Sequence, residues 1–202
     1  MNEKLNGSSF TVNIEDSILD DLLSRVKNSR ILKDFGNKEW KYGTEETYLR
    51  NLVDYWSNQY DWKKQEKEIN KFSHYKVKID DIPIHFIYEK GSSENSKPLI
   101  LTHGWPWTFW DYKKIIEPLA HPEKYGGNAS DSFDVIIPSL PGYGFSTPLK
   151  ETGINFWRTS DIWVKLMTKI LGYEKFFAHG GDWGAAVTLQ LGHKYSEIVP
   201  AI

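Results

Sequence analysis

The sequence predicts an α/β fold, a mostly parallel sheet with crossover helices preceded by a helical N-terminal arm. Three observations predict it. From about residue 72 onward, short apolar runs alternate with amphipathic stretches, the pattern of a sheet covered on its faces by helices. Before residue 72 the chain carries only charged helices with single apolar stripes. Finally, one short apolar run leads straight into "GGDWGAAVTLQLGHKY" (180–195), where glycines crowd an aspartate at the start of a helical pattern.

The elements follow in order. In the arm, "IEDSILDDLLSRVKNSR" sets Ile14, Ile18, Leu22 and Val26 four residues apart, one face of a helix. "EETYLRNLVDYWSNQYDWKKQEKEI" repeats this with Leu49, Leu52, Val53, Trp56 and Tyr60 and reads as a second helix. Its charge run "KKQEKE" (63–68) reads as a solvated helix face. "HYKVKIDDIPIHFIYEK" reads as two strands around Asp80-Asp81, a hairpin. After the polar loop "GSSENSKP", the run "LILTH" (99–103) is a short buried strand. "TFWDYKKIIEPLA" reads as a helix capped by Thr108, with Asp111 three residues on. "FDVIIPSL" (133–140) is another buried strand; Asn155 caps a helix that carries Ile162, Leu166 and Ile170 and stops at Gly172. "KFFAH" (175–179) is a third short strand, followed by the helix "GAAVTLQLGHKY", and "IVPAI" would begin a further strand.

Composition narrows the function classes. Hydrophobic residues make up 40% and aromatic residues 15%, as in a folded globular protein rich in rings. A net charge of −2 supplies neither a basic stripe for nucleic acid nor a polybasic membrane patch. No cysteine is present, which removes disulfides and thiolate metal sites; no cofactor and no metal are expected. "MNEKLNGSSFTVNIEDS" lacks the apolar core of a secretory leader, and no stretch approaches the ~20 apolar residues of a membrane span. The expected location is cytoplasmic, and a homo-oligomer is left open.

The chemistry concentrates at two places. Gly180-Gly181-Asp182-Trp183-Gly184 has the spacing G-x-nucleophile-x-G between a strand and a helix, the setting of a nucleophile elbow. Its glycines are expected to leave room for a turn too tight for side chains. Aspartate in place of serine is informative. A serine attacking an sp³ carbon would leave an ether that water does not cleave, whereas a carboxylate leaves an alkyl ester that water can hydrolyse. The carboxylate is also ionised at neutral pH and needs no base for the attack. The second place is His103-Gly104-Trp105-Pro106 at the end of a buried strand. There the Trp105 amide, with that of Trp183 after the nucleophile, would form an oxyanion hole.

The pair H-G-W-P and H-G-G-D-W-G-A, with "DVIIPSLPGYGFSTP" between them, resembles the α/β-hydrolase epoxide hydrolases. "YWSNQYDWKKQEKEINKFSHYKVKIDDIPIHF" is similar to the N-terminal region of the microsomal and juvenile-hormone type. The resemblance implies that residues 1–71 are the arm of such an enzyme and residues 72–202 the N-terminal half of its hydrolase core. It implies that Asp182 opens a small hydrophobic epoxide to a hydroxyalkyl ester and that an activated water then frees a vicinal diol. It further implies a cis Trp105–Pro106 peptide and a turn lining the site with Phe145 as a pocket wall; Trp107 is read as either facing the substrate or packing in the core.

The family's cap tyrosines and its histidine–acid pair match no position here. His103 and His179 lie at strand ends within the motifs, and His74, His85, His121 and His193 are not expected to activate water. The chain is thus expected to stop before the cap and the C-terminal half, with the strand 175–179 left open on one edge. Two other readings are kept: a haloalkane-type dehalogenase on the same scaffold, and a catalytically incomplete fragment or binding module.

Overall fold

The computed structural model describes residues 8–202. These divide into two compact units, one spanning Val12–Ile69 and the other holding the residues before it together with Asn70–Ile202.

The larger unit is built on a six-stranded sheet. Its first strand, β1 (Ser8–Phe10), pairs antiparallel with the strand that opens after residue 70, with Phe10 opposite His74. The sequence pattern assigns these residues to the helical arm. A three-residue strand has too little pattern to register, and edge pairing with its neighbour makes it a strand.

The smaller unit holds α1 (Asp16–Lys27), α2 (Glu46–Asn58) and α3 (Trp62–Ile69). The stretch read as one helix over 45–69 is therefore two. After Asn58 the amides of Gln59 and Tyr60 both reach the Tyr55 carbonyl, which closes the ladder one turn before α3 begins. The "KKQEKE" run is not wholly a solvated face either. Glu66 is 8% exposed and accepts hydrogen bonds from the Ile14 amide at 2.7 Å and from Trp62 Nε1 at 3.1 Å, with Lys63 at 3.3 Å. A buried carboxylate needs such donors, and here they tie α3 to the chain entering α1.

Back in the sheet, β2 (His74–Ile79) and β3 (Ile82–Glu89) form the expected hairpin. Asp80 and Asp81 both take positive φ, 50° and 62°, the tight two-residue turn whose twist matches the strands. The remaining strands are β4 (Lys97–Thr102), β5 (Phe133–Pro138) and β6 (Phe177–Gly180), and the order is β1-β2-β3-β5-β4-β6. β5, β4 and β6 pair parallel, and β3 pairs antiparallel with β5, so β2, β4, β5 and β6 all point the same way. The stretch capped by Thr108 is a 3₁₀ turn, Phe109–Lys114, followed by a short α4 (Ile116–Ala120). Pro118 has no N–H to return to Lys114, so a single regular ladder does not run through. α5 (Phe156–Lys165), capped by Asn155, continues as a π turn to Ile170 and ends before Gly172; α6 (Trp183–Lys194) follows β6.

Both faces of the sheet are covered, which explains the unbroken apolar runs. Ile84, Phe86, Ile100 and Ile136 share one cluster with Ile162 and Trp163 of α5, with Leu166 of the π turn after it, and with Val187 and Leu191 of α6. Their alternates Ile87, Leu101, Val135 and Ile137 are equally buried, and α4 lies against β3 and β5. The chain after α6 forms no strand among the described residues, but it does not leave β6 open. Phe176 N–H donates to the Ile198 carbonyl at 3.0 Å and Ala178 N–H to that of Ala201 at 3.3 Å, and Val199 is buried in the core. The expected open edge is thus partly covered by residues 198–201.

Candidate active site

β4 and β6 run side by side with Thr102 opposite Gly180, so their C-terminal ends deliver the two motifs to one place. Asp182 occupies the turn from β6 into α6 with φ 54° and ψ −121°. A non-glycine residue in this region costs on the order of 1–3 kcal/mol and is held there by its surroundings. The crowding is real at Gly180 and Gly184. A Cβ on Gly184 would enter the Thr102 carbonyl, and one on Gly180 would enter that of Gly184. Gly181 differs: nothing stands within 4 Å of a Cβ there, so the expectation that every glycine of the turn is sterically required does not hold for it.

The second motif closes on the first. The Trp105 amide donates to Asp182 Oδ1 at 2.9 Å, and a Cβ on Gly104 would stand 2.5 Å from Asp182 Cβ. The Trp105–Pro106 peptide is cis, as is Thr147–Pro148. The Trp105 amide, and after it the amide of Trp183, hold the Asp182 carboxyl below the usual carboxylate range. Trp183 exerts this second pull without the alignment of a full hydrogen bond to the side chain. Both amides therefore stabilise negative charge on the same carboxyl.

His103 is a pin. Its Nδ1–H donates to the Gly104 carbonyl at 2.9 Å and its Nε2 accepts the Leu140 amide at 3.0 Å, which ties the loop after β4 to the loop after β5. Burial pushes this imidazole below its ordinary range, so it is neutral with both nitrogens engaged. Thr102 is held from two sides: Tyr112 Oη donates to its carbonyl at 2.8 Å, and Trp163 Nε1 donates to its Oγ1 at 3.1 Å. Burial pushes the Tyr112 hydroxyl up to about 12, partly offset by the Gly181 amide.

The residues expected beside a substrate divide. Trp105, Trp107 and Trp183 are all about half exposed around Asp182's end of the sheet. Phe145 is elsewhere: its ring packs on Phe10, His85 and Phe109 at 5.2–5.8 Å. Tyr143 of the same turn faces the site instead, lining a cavity with Trp183 and touching the His103 ring edge-on at 5.6 Å. Nothing in the sequence distinguished Tyr143 from Phe145; the positive φ of Gly142 and Gly144, which bracket Tyr143, sets the direction. His179 and His193 are exposed, and His74 and His85 stack on each other in the core. Among the described residues no group of three metal-binding side chains exists.

A carboxylate on a strained turn, backed by two amides, is the arrangement for forming an ester and holding the oxyanion that arises when the ester breaks. Residues 7–112 match the family "Epoxide hydrolase N terminus" and residues 97–202 the "alpha/beta hydrolase fold". The chain belongs to the epoxide hydrolase family. Epoxide hydrolase 1 of Sus scrofa is 36% identical over 196 residues, which is 95% of this chain and 42% of that protein. Juvenile hormone epoxide hydrolase 1 of Ctenocephalides felis is 32% identical over 193 residues, 94% of this chain and 41% of that protein. The chain thus spans less than half the length of these relatives. In three dimensions it is similar to the epoxide hydrolase of Aspergillus niger, with a TM-score of 0.84 at 27% identity over 97% of this chain and 51% of that one. The juvenile hormone epoxide hydrolase of the silkworm Bombyx mori gives 0.82 at 26% identity, over 98% of this chain and 47% of that one.

Proposed function

We propose that this chain carries the nucleophilic half of an epoxide hydrolase. An Asp182 carboxylate oxygen attacks one epoxide carbon, the C–O bond of the strained ring breaks, and the departing oxygen takes up a proton to give a hydroxyalkyl ester. Water then adds to the ester carbonyl. The charge that develops on the carbonyl oxygen is stabilised by the Trp105 and Trp183 amides, and collapse frees the vicinal diol and regenerates the carboxylate. The observation that carries this reading is the 2.9 Å bond from the Trp105 amide to Oδ1. It marks one oxygen as the future carbonyl oxygen and leaves the other for attack.

The second step needs a base, and the described residues offer none at Asp182. Both nitrogens of His103 are engaged, and the His74–His85 pair is buried in the core. Residues 1–202 should therefore form the ester and stop. No helix among the described residues is long and apolar enough to cross a membrane, and the cytoplasm is the location this reading assigns. The test is to incubate residues 1–202 with excess styrene oxide and count diol against chains over time. At most one equivalent is expected, with ester accumulating on the protein. Many diols per chain would mean that a base within these residues has been misjudged.

A further inference from the structure

The Trp105 amide lies at the crest of its loop. Trp105, Pro106 and Trp107 are all exposed, whereas Gly104 before them and Phe109 after them are buried. The two ends of the loop therefore set where the amide lies. One end is the His103 pin. The other is Tyr112, in the 3₁₀ turn Phe109–Lys114 that follows the loop.

Tyr112 Oη donates to the Thr102 carbonyl at 2.8 Å. Thr102 is the last residue of β4, so this bond ties the far end of the loop back to its root. The same oxygen accepts the Gly181 amide, the first beyond β6 and one residue before Asp182. The pairing of β4 with β6 ends at Thr102 and Gly180, and the backbone groups beyond that pair need other partners. One hydroxyl supplies them, joining the loop that donates to the carboxylate and the turn that presents it. Thr102 is itself a fixed point. Trp163 Nε1 holds its Oγ1 at 3.1 Å, and its carbonyl is packed so closely on Gly184 of α6 that a Cβ there would strike it.

Resting on the epoxide reading above, we propose that Tyr112 is a positioning residue for ester cleavage: its hydroxyl, bonded to both loops at once, sets the distance between the Trp105 amide and Asp182. It touches neither substrate nor ester and acts through the loop it closes. Its loss frees that end of the loop, and the amide moves off Oδ1 while the ring still fills its place.

The test is Tyr112→Phe in residues 1–202, which removes one oxygen and keeps the ring. Tyr173→Phe is the control. It also removes a partly buried phenolic hydroxyl, one that donates to Asp134 Oδ2 at 2.6 Å near the opposite ends of the parallel strands. Each protein is esterified with styrene oxide, and the ester is then cleaved with added hydroxylamine. That reagent needs no base from the protein, yet its attack develops the same charge on the carbonyl oxygen. Tyr112→Phe is expected to slow cleavage about tenfold, short of the about 10²–10³ for outright loss of an oxyanion donor. Ester formation, in which the carboxylate itself attacks, should stay within about threefold of the parent's, and the acid–base midpoint of Asp182 should rise. Tyr173→Phe should lower the unfolding temperature and change none of these three readings. Cleavage by Tyr112→Phe at the parent's rate, or equal slowing in Tyr173→Phe, overturns the proposal. The midpoint, read by carbon-detected NMR titration, does not depend on the reaction. If no epoxide modifies Asp182 yet Tyr112→Phe alone raises the midpoint, the proposed function falls and the positioning role stands. If the ester forms on Asp182 but its cleavage and the midpoint both match the parent's in Tyr112→Phe, the positioning role falls alone.

Discussion

Gly104→Ala is the most exacting change available at this site. The new methyl would stand 2.5 Å from Asp182 Cβ, 2.7 Å from Oδ1 and 3.0 Å from Cγ, where an ordinary contact is 3.4 Å or more. Neither side has room to yield. Asp182 is a short side chain on a backbone already at φ 54°, and the residue after Gly104 is the amide that must reach Oδ1. Relief has to come from moving the loop after β4 away from α6, which lengthens the 2.9 Å bond. Overpacking of this kind costs about 1–3 kcal/mol of stability. Loss of one oxyanion donor costs about 10²–10³ in rate. The variant should therefore fold, unfold several degrees lower, and lose its Asp182 ester with styrene oxide to added hydroxylamine about a hundredfold more slowly, while the acid–base midpoint of Asp182 rises towards that of a free carboxyl. Thermal unfolding, intact-mass kinetics and a carbon-detected NMR titration read the three effects. An ester-cleavage rate within a factor of three of the parent's would refute the claim that the Trp105 amide must sit on this carboxyl.

Other consequences are as concrete. Because the two amides depress its pKa, Asp182 stays ionised below the ~3.9 of a free aspartate, so ester formation should be flat through neutral pH and fall only under about pH 4; a midpoint well above this contradicts the amide contacts. His85, buried against His74 with Lys76 nearby, is held down to about 2, burial being the largest cause. The unfolded chain protonates this residue below about 6.5, so it binds more protons than the folded state there, and stability should fall on acidification by up to about 1.4 kcal/mol per pH unit. A series of unfolding curves from pH 7 to 5 should show the loss, with a shallower slope in His85→Asn; equal slopes would refute it. Glu66→Ala leaves the Ile14 amide and Trp62 Nε1 without their acceptor, and urea unfolding should register a loss of about 1–3 kcal/mol; an unchanged midpoint would return Glu66 to the solvated face.

Much of this molecule is legible in its residues. The hairpin at Asp80-Asp81, the buried strands, the Asn155 and Thr108 caps and the turn at Asp182 each rest on local signals: period, turn chemistry, or a carboxylate among glycines. Two of the failures depend on something distant in the chain, and the others on local torsions that periodicity does not register. β1 is a strand because β2 offers it an edge. The break between α2 and α3 is invisible to periodicity, because the apolar stripe of Leu52, Trp56 and Tyr60 continues into it. Glu66 is buried by the chain near Ile14, 52 residues earlier. Which ring of Tyr143-Gly144-Phe145 turns towards Asp182 is settled by two glycine torsions and by the cluster of His85 and Phe109 that captures Phe145.

The central claim is that Asp182 becomes an ester. Residues 1–202 should be mixed with styrene oxide, digested and mapped by mass spectrometry, with Asp182→Asn treated in parallel. One added epoxide mass is expected, confined to the peptide that contains Asp182, with no addition in the variant. Modification at another side chain, or equal modification of the variant, would contradict it.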